Sequence, residues 1–173
     1  MSPVLVVLRG NSASGKSAVA AQIRSRYGHG LAIVSQDNLR RTVLREHDVP
    51  GGANIELISL VARHALGAGF HTIVEGILCR SHYEQMLLDL RSAHHDASYW
   101  YYFDVPFEET LRRHATKPQA ADYGEAEMRT WWQRADLLPG AVESIIPASS
   151  SLDDTVTRIM RETGLTARAE AAG

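Results

Sequence analysis

Lysine is nearly missing from this chain of 173 residues: only Lys16 and Lys117 occur, against sixteen arginines. Arginine therefore supplies the generic cations, and each lysine marks a place where a compact, mobile ammonium is wanted. Cysteine is scarcer still. Cys79 stands alone, which excludes an internal disulfide. With no Cys/His motif around it, it reads as a small apolar packing residue rather than a nucleophile. Apolar runs are strand-sized, far short of a membrane span. The first strand begins almost at the N-terminus, which leaves no room for a signal peptide. Net charge is only -2, so nothing draws the whole chain to nucleic acid or an anionic membrane. These absences predict a cytoplasmic protein with one sizeable core.

What is present is an alternation of strands and helices. Apolar, β-branched runs predict strands over 4–9, 31–35, 70–75, 98–104 and 143–147. Helices are expected over 17–27, 38–47, 54–66, 81–93, 107–115, 125–136 and 152–163. Asn54 is the expected cap of the third helix, and Ser81 with Glu84 forms a capping box for the fourth. Tyr83, Met86, Leu87 and Leu90 then share one apolar face. One domain is predicted over 1–164, followed by a frayed tail over 165–173. The alternation implies an α/β fold with a mainly parallel sheet covered on both faces. In such sheets ligands bind beyond the carboxyl ends of the strands.

The first strand runs into Gly10-Asn11-Ser12-Ala13-Ser14-Gly15-Lys16-Ser17, which fits the phosphate-loop pattern G-x-x-x-x-G-K-[ST]. Glycines let successive backbone N–H groups face an anion, and the helix that follows adds donors and a positive dipole end. Lys16 then reaches the β/γ-phosphates and the Ser17 hydroxyl ligates Mg²⁺.

The second strand is followed by Asp37, Arg40 and Arg41. Asp37 either accepts the proton of an attacking hydroxyl or caps the helix expected from residue 38. Arginines in a first helical turn oppose the dipole, so one of Arg40 and Arg41 either binds substrate or the transferring phosphoryl group, with Arg40 the substrate-binding candidate, or each stands solvated. After the third strand comes Glu75-Gly76: an acid able to hold a Mg²⁺-bound water or a substrate hydroxyl, and a glycine that admits a ligand closely. The polar stretch over 113–135 suits a lid, from which Arg112, Arg113, Lys117 or Arg129 would bring positive charge to a transferring phosphoryl group; Arg113 is the catalytic candidate. His94, His95 and His114 lack metal-ligand spacing and read as surface or helix-end residues. Trp131 and Trp132 read as packing. No N-K-x-D motif accompanies the loop, and Asp48-Val49-Pro50-Gly51 matches D-x-x-G without following a strand, so a GTPase is disfavoured. No long apolar strand ends in Asp-Glu, which disfavours an ATP-driven machine.

With these residues in place the chain resembles the small P-loop kinases. The likeness is to the group of chloramphenicol phosphotransferases, zeta-toxin-type UDP-N-acetylglucosamine kinases and polynucleotide 5′-kinase domains. It runs in outline over 4–163 and is specific at 10–17, 35–41 and 73–76. The resemblance implies a three-layer α/β/α P-loop fold with a five-stranded sheet and a helical lid. It also implies ATP as donor and Asp37 as general base. Zeta toxins carry E-G-T where this chain has Glu75-Gly76-Ile77, and use that Glu on substrate. The D-x-x-R of polynucleotide kinases is matched by Asp37-Asn38-Leu39-Arg40. The expected activity is ATP- and Mg²⁺-dependent phosphorylation of a hydroxyl on a small molecule such as an antibiotic, nucleoside or sugar nucleotide. The alternatives are an oligonucleotide 5′-hydroxyl kinase and a non-catalytic nucleotide-binding regulator. The acidic balance and the lack of a basic, aromatic stripe speak against a long nucleic acid.

Overall fold

Leu5, Val6, Val7 and Leu8 alternate between opposite faces of one strand, yet all four are fully buried. Such a strand must lie inside a sheet covered on both sides. The computed structural model, which describes residues 2–116 and 123–166, has that sheet. Strands β1 (Leu5–Gly10), β2 (Leu31–Ser35), β3 (His71–Gly76), β4 (Ser98–Asp104) and β5 (Ser144–Pro147) run parallel in the order β2-β3-β1-β4-β5. Helices α1 (Lys16–Tyr27), α2 (Ala53–Gly67), α3 (Arg80–Ala93), α4 (Phe107–His114), α5 (Glu125–Trp131) and α6 (Leu152–Thr163) connect them. The architecture is the three-layer α/β/α P-loop fold. No helix among the described residues is long and apolar enough to cross a membrane.

Val6 and Leu8 pack with Val19 and Ile23 of α1 and with Val156 and Ile159 of α6. Leu5 and Val7 pack with Ile58 and Ala62 of α2 and with Tyr83 and Leu87 of α3. Full burial of such a side chain contributes about 1.5–3 kcal/mol, so a strand buried along its whole length takes the centre. The pairing sets Leu8 beside Glu75 and Ser35 beside Glu75. The carboxyl ends of β1, β2 and β3 therefore meet at one rim, where the loops after them converge.

Several local expectations are corrected. The helix over 38–47 is instead a π-helical turn, Asn38–Val43. Its amides reach past the α-helical acceptor, Leu44 N–H to Leu39 O and Glu46 N–H to Arg40 O, and Arg45 in the left-handed region (φ 53°) ends the turn. Asn54 does not cap α2. Its side chain is buried and bonded to Glu46 and Tyr83, while Glu46 accepts from Ala53 N–H (2.7 Å) and Asn54 N–H (2.9 Å) in the capping role. Those bonds lower the Glu46 pKa from its usual value. The Ser81/Glu84 capping box is absent: Ser81 Oγ turns to Cys79 Sγ and Glu84 pairs with Arg80. Helix α5 stops at Trp131 rather than residue 136: Trp132 N–H still bonds to Met128 O, but Gln133 N–H leaves the helix and donates to Asn11 Oδ1. Leu165, assigned from sequence to the frayed tail, is fully buried in the cluster with Val6 and Ile23; residues 167–173 lie outside the described residues.

Candidate active site

Gly10 ends β1 with φ 141°, and a Cβ there would stand 2.7 Å from the Phe103 carbonyl oxygen on β4, so no other residue fits. Ala13 (φ 58°) and Gly15 (φ 108°) also take positive φ. The alternation curls the loop and turns its amides inward, the geometry of an anion-binding nest. Helix α1 starts at once with Lys16. Lys16 is buried, and its Nζ donates to Asn11 O at 2.7 Å and to Ser14 Oγ at 3.1 Å, bridging the loop. Ser17 Oγ donates to Glu75 Oε2 at 2.9 Å. Loop amides, an ammonium, a hydroxyl and a carboxylate suit a nucleoside triphosphate with a hard divalent cation.

On one side of the loop lies a cavity of about 530 Å³ lined by Ser12, Asp37, Arg40, Arg41, Tyr123 and Trp131 among others. Asp37 already has helical φ and ψ and makes no capping bond; that alternative falls. Its carboxylate is 69% exposed and meets Arg40 Nη2 at 3.5 Å. Arg40 also donates to Glu46 O at 3.2 Å. Arg41 lies over the Tyr123 ring, 5.7 Å from its centroid.

Gly76 does admit a close neighbour, but the neighbour is Gln36. A Cβ on Gly76 would fall 2.4 Å from Gln36 Oε1. Gln36 is buried, accepts from Leu78 N–H at 3.0 Å and donates to Tyr83 Oη at 2.8 Å. It thereby fixes the backbone next to Asp37. Burial and the Asp48 carboxylate push the Tyr83 phenol up.

A second cavity of about 370 Å³ opens on the other side of the loop, bordered by Ser14, Gly15, Arg113 and the segment 147–152. Arg113 faces this one. Its guanidinium donates to Ser14 O (3.1 Å), Ala148 O (3.1 Å) and Glu109 Oε1 (2.7 Å). Glu109, paired with Arg112 and Arg113, is held at about 2. Arg112 is bound to Glu109, and Arg129 to Glu125 and the Phe107 ring. Lys117 and the centre of the predicted lid lie outside the described residues. On either side of that gap, Phe107 and Met128 pack against Ala13 of the phosphate loop.

Sequence reasoning missed three arrangements. Arg9, on the central strand, is fully buried and paired with Asp136 at 3.1 Å and Glu143 at 2.7 Å. The signal was a charge inside an apolar strand. Asn11 and Gln133 bind across the loop, a pairing that no local pattern announces. Cys79, Asp48 and His82 gather beside the first cavity, and the spacing Cys79-x-x-His82 was the signal. Burial pushes the Cys79 thiol up. His114 is at a helix end but buried, stacked on Tyr123 with Nε2 2.8 Å from Tyr123 O. Trp132 packs edge-on against Phe107 as expected, whereas Trp131 also lines the cavity.

Sheet order, phosphate loop and flanking acids define a P-loop protein of the small-kinase group. The chain belongs to the AAA domain family AAA_33, whose model matches residues 5–138. No curated protein matches the sequence. Solved structures of similar fold include the APS kinase CysC of Mycobacterium tuberculosis in complex with AMPPNP and APS, at 18% identity and a TM-score of 0.71, covering 92% of this chain and 96% of that one. A sugar kinase from Janibacter sp. HTCC2649 gives 15% identity and a TM-score of 0.68, covering 96% and 99%. A gluconokinase from Sinorhizobium meliloti 1021 gives 13% and 0.61, covering 94% and 93%. At these identities the likeness is one of fold.

Proposed function

We propose that the protein is a kinase that transfers the γ-phosphoryl group of ATP to a hydroxyl of a small molecule. The observation that carries this reading is the pair of cavities on opposite sides of one phosphate loop. Ser12 and Asp37 border one, Ser14 and Arg113 the other. In this reading the donor nucleotide lies in the Arg113 cavity and the acceptor in the Asp37 cavity.

Asp37 takes the proton of the acceptor hydroxyl and aims its oxygen at the loop. The loop amides and Lys16 hold the phosphates and their developing charge. Arg113, bonded to Ser14 O and Ala148 O, joins the loop to the nucleoside side rather than reaching the acceptor. Arg40 steadies Asp37 and offers a cation to the acceptor. Ser17 and Glu75 would hold Mg²⁺, which supplies charge neutralisation between the phosphates when bound. Positioning and electrostatics provide the catalysis.

An ATP-consumption screen over sugars, nucleosides, sugar nucleotides, antibiotics and short oligonucleotides identifies the acceptor. With that acceptor, Asp37→Asn is expected to lower kcat by roughly 10²–10⁴-fold while ATP binding stays near wild type. Undiminished turnover would remove Asp37 from the base role. ATP binding without any phosphorylated product across the whole screen would favour a nucleotide-binding regulator.

A second reading is favoured by one observation: Arg40 and Arg41 both line the acceptor cavity, as a 5′-hydroxyl oligonucleotide with its phosphates would require. In that case activity falls steeply with salt as phosphate contacts are screened. A flat salt response on a small acceptor excludes it.

A further inference from the structure

Asp48, Cys79 and His82 come from two parts of the chain onto one wall of the Asp37 cavity. Cys79 caps α3 and His82 stands in its first turn, its N–H bonded to Cys79 O at 3.1 Å. Asp48 arrives from the loop before α2. Their ligand atoms all lie within 4.8 Å of one another, and Asp48 Oδ1 is 3.3 Å from His82 Nδ1. Around a tetrahedral zinc ion, N, O and S ligand atoms sit roughly 3.3–3.8 Å apart. Small side-chain rotations cover that difference.

The surroundings are those of a supported ligand set. Tyr83 Oη donates to Asp48 Oδ1 at 2.7 Å, and Gln36 Nε2 donates to Asp48 Oδ2 at 3.3 Å. Hydrogen bonds of this kind orient metal-binding carboxylates. Ser81 Oγ donates to Cys79 Sγ at 3.6 Å. Cys79 is buried, while the Asp48 and His82 side chains are 28% and 21% exposed, which leaves an entry path from the cavity.

One thiolate, one imidazole and one carboxylate form a softer set than the hydroxyl and carboxylate of Ser17 and Glu75. Soft ligands select zinc-like ions over Mg²⁺. Three protein ligands also leave a coordination position open. We propose that Asp48, Cys79 and His82 bind a thiophilic divalent cation, Zn²⁺ in the first instance, with its open position toward the Asp37 cavity. There it can take an oxygen or nitrogen atom of a bound molecule. The inference stands whether or not the protein is a kinase, because binding needs neither ATP nor turnover.

The test uses the full chain, stripped with a chelator and titrated with Co²⁺ without nucleotide. Expected is binding of about one Co²⁺ per chain, with a thiolate-to-metal charge-transfer band. Zn²⁺ should abolish the band and excess Mg²⁺ should leave it. Cys79→Ser should lose the band, and His82→Gln should weaken Zn²⁺ binding by roughly a hundredfold. Thermal melts establish that each variant folds; if Cys79→Ser does not, the wild-type spectrum with His82→Gln decides. Absence of the band in the wild type overturns the proposal. So does equal Zn²⁺ affinity in wild type and His82→Gln, which would put the metal on other histidines.

Discussion

Asn11 and Gln133 are joined twice. Asn11 Nδ2 donates to the Gln133 carbonyl at 2.6 Å, and Gln133 N–H donates to Asn11 Oδ1 at 2.9 Å. One side chain of the phosphate loop thus satisfies both backbone groups of a residue just past α5. The second residue of the motif, unconstrained in the pattern itself, links the loop to the segment just past α5. Asn11→Ala leaves two part-buried backbone groups without these partners. It is expected to lower unfolding stability by about 1–3 kcal/mol, read from urea denaturation. Asn11→Asp, which keeps the acceptor and loses the donor, should fall between. An unchanged midpoint in Asn11→Ala would show that water replaces both bonds.

Arg9 carries the largest predicted stability loss. Its guanidinium also donates to Leu78 O at 3.0 and 2.9 Å, so a single side chain ties β1 to the residues before α3 and to Asp136 and Glu143. Breaking a buried pair by removing one partner costs about 3–5 kcal/mol, because the remaining charge is stranded. Arg9→Met should show a loss of that order by chemical denaturation. A loss below about 1 kcal/mol would mean the two carboxylates find water or protons instead.

Gly76 and Gln36 should be energetically coupled. Gly76→Ala pushes a methyl into Gln36 and is expected to destabilise by about 1–3 kcal/mol. Gln36→Gly removes both the Oε1 at 2.4 Å and the Cβ at 2.6 Å, so Gly76→Ala should cost less in that background. A double-mutant cycle reads the difference, and simple additivity would refute the contact. Gln36 adjoins Asp37, so the same cycle followed in kcat tests whether backbone placement beside Asp37 matters to turnover.

Acid should loosen the Glu109–Arg113 side of the phosphate loop. Glu109 has a folded pKa of about 2 against an ordinary 4.5, lowered by hydrogen bonds from Arg112 and Arg113. A depressed carboxylate contributes stability that is present above pH 4.5 and lost as pH falls through about 2. Glu46 and Glu127 are also lowered, by hydrogen bonds at the starts of α2 and α5. Thermal melts should therefore lose stability progressively below pH 4.5. Glu109→Gln should flatten part of that decline, and an identical acid slope in this variant would exclude the pair as its source.

Much of the fold was legible because each layer has its own periodicity. The strand boundaries follow continuous apolar runs, and the phosphate loop is a local pattern tied to local backbone geometry. What escaped was set by partners distant in sequence. Asn54 looks like a helix cap, and only the approach of Glu46 and Tyr83 draws it into the interior. Gly76 reads as a glycine that admits a ligand closely, but what approaches it is the side chain of Gln36, just after β2. Leu165 follows a glycine helix stop, which signals an end, and its burial depends on a face built by β1 and α1. Arg113 belongs to a basic cluster whose members look alike in sequence; its contacts with Ser14 and Ala148 exist only in three dimensions.

The burial of Leu165 bears on how the chain is made. Val6 and Leu8 share a cluster with Val156, Ile159 and Leu165, which come much later in the chain. A ribosome releases the early strands long before it has synthesised the helix that covers them. One face of the central strand must therefore wait for the cover of α6 and Leu165 until residue 165 has emerged. Truncation just before that residue would leave the same gap permanently.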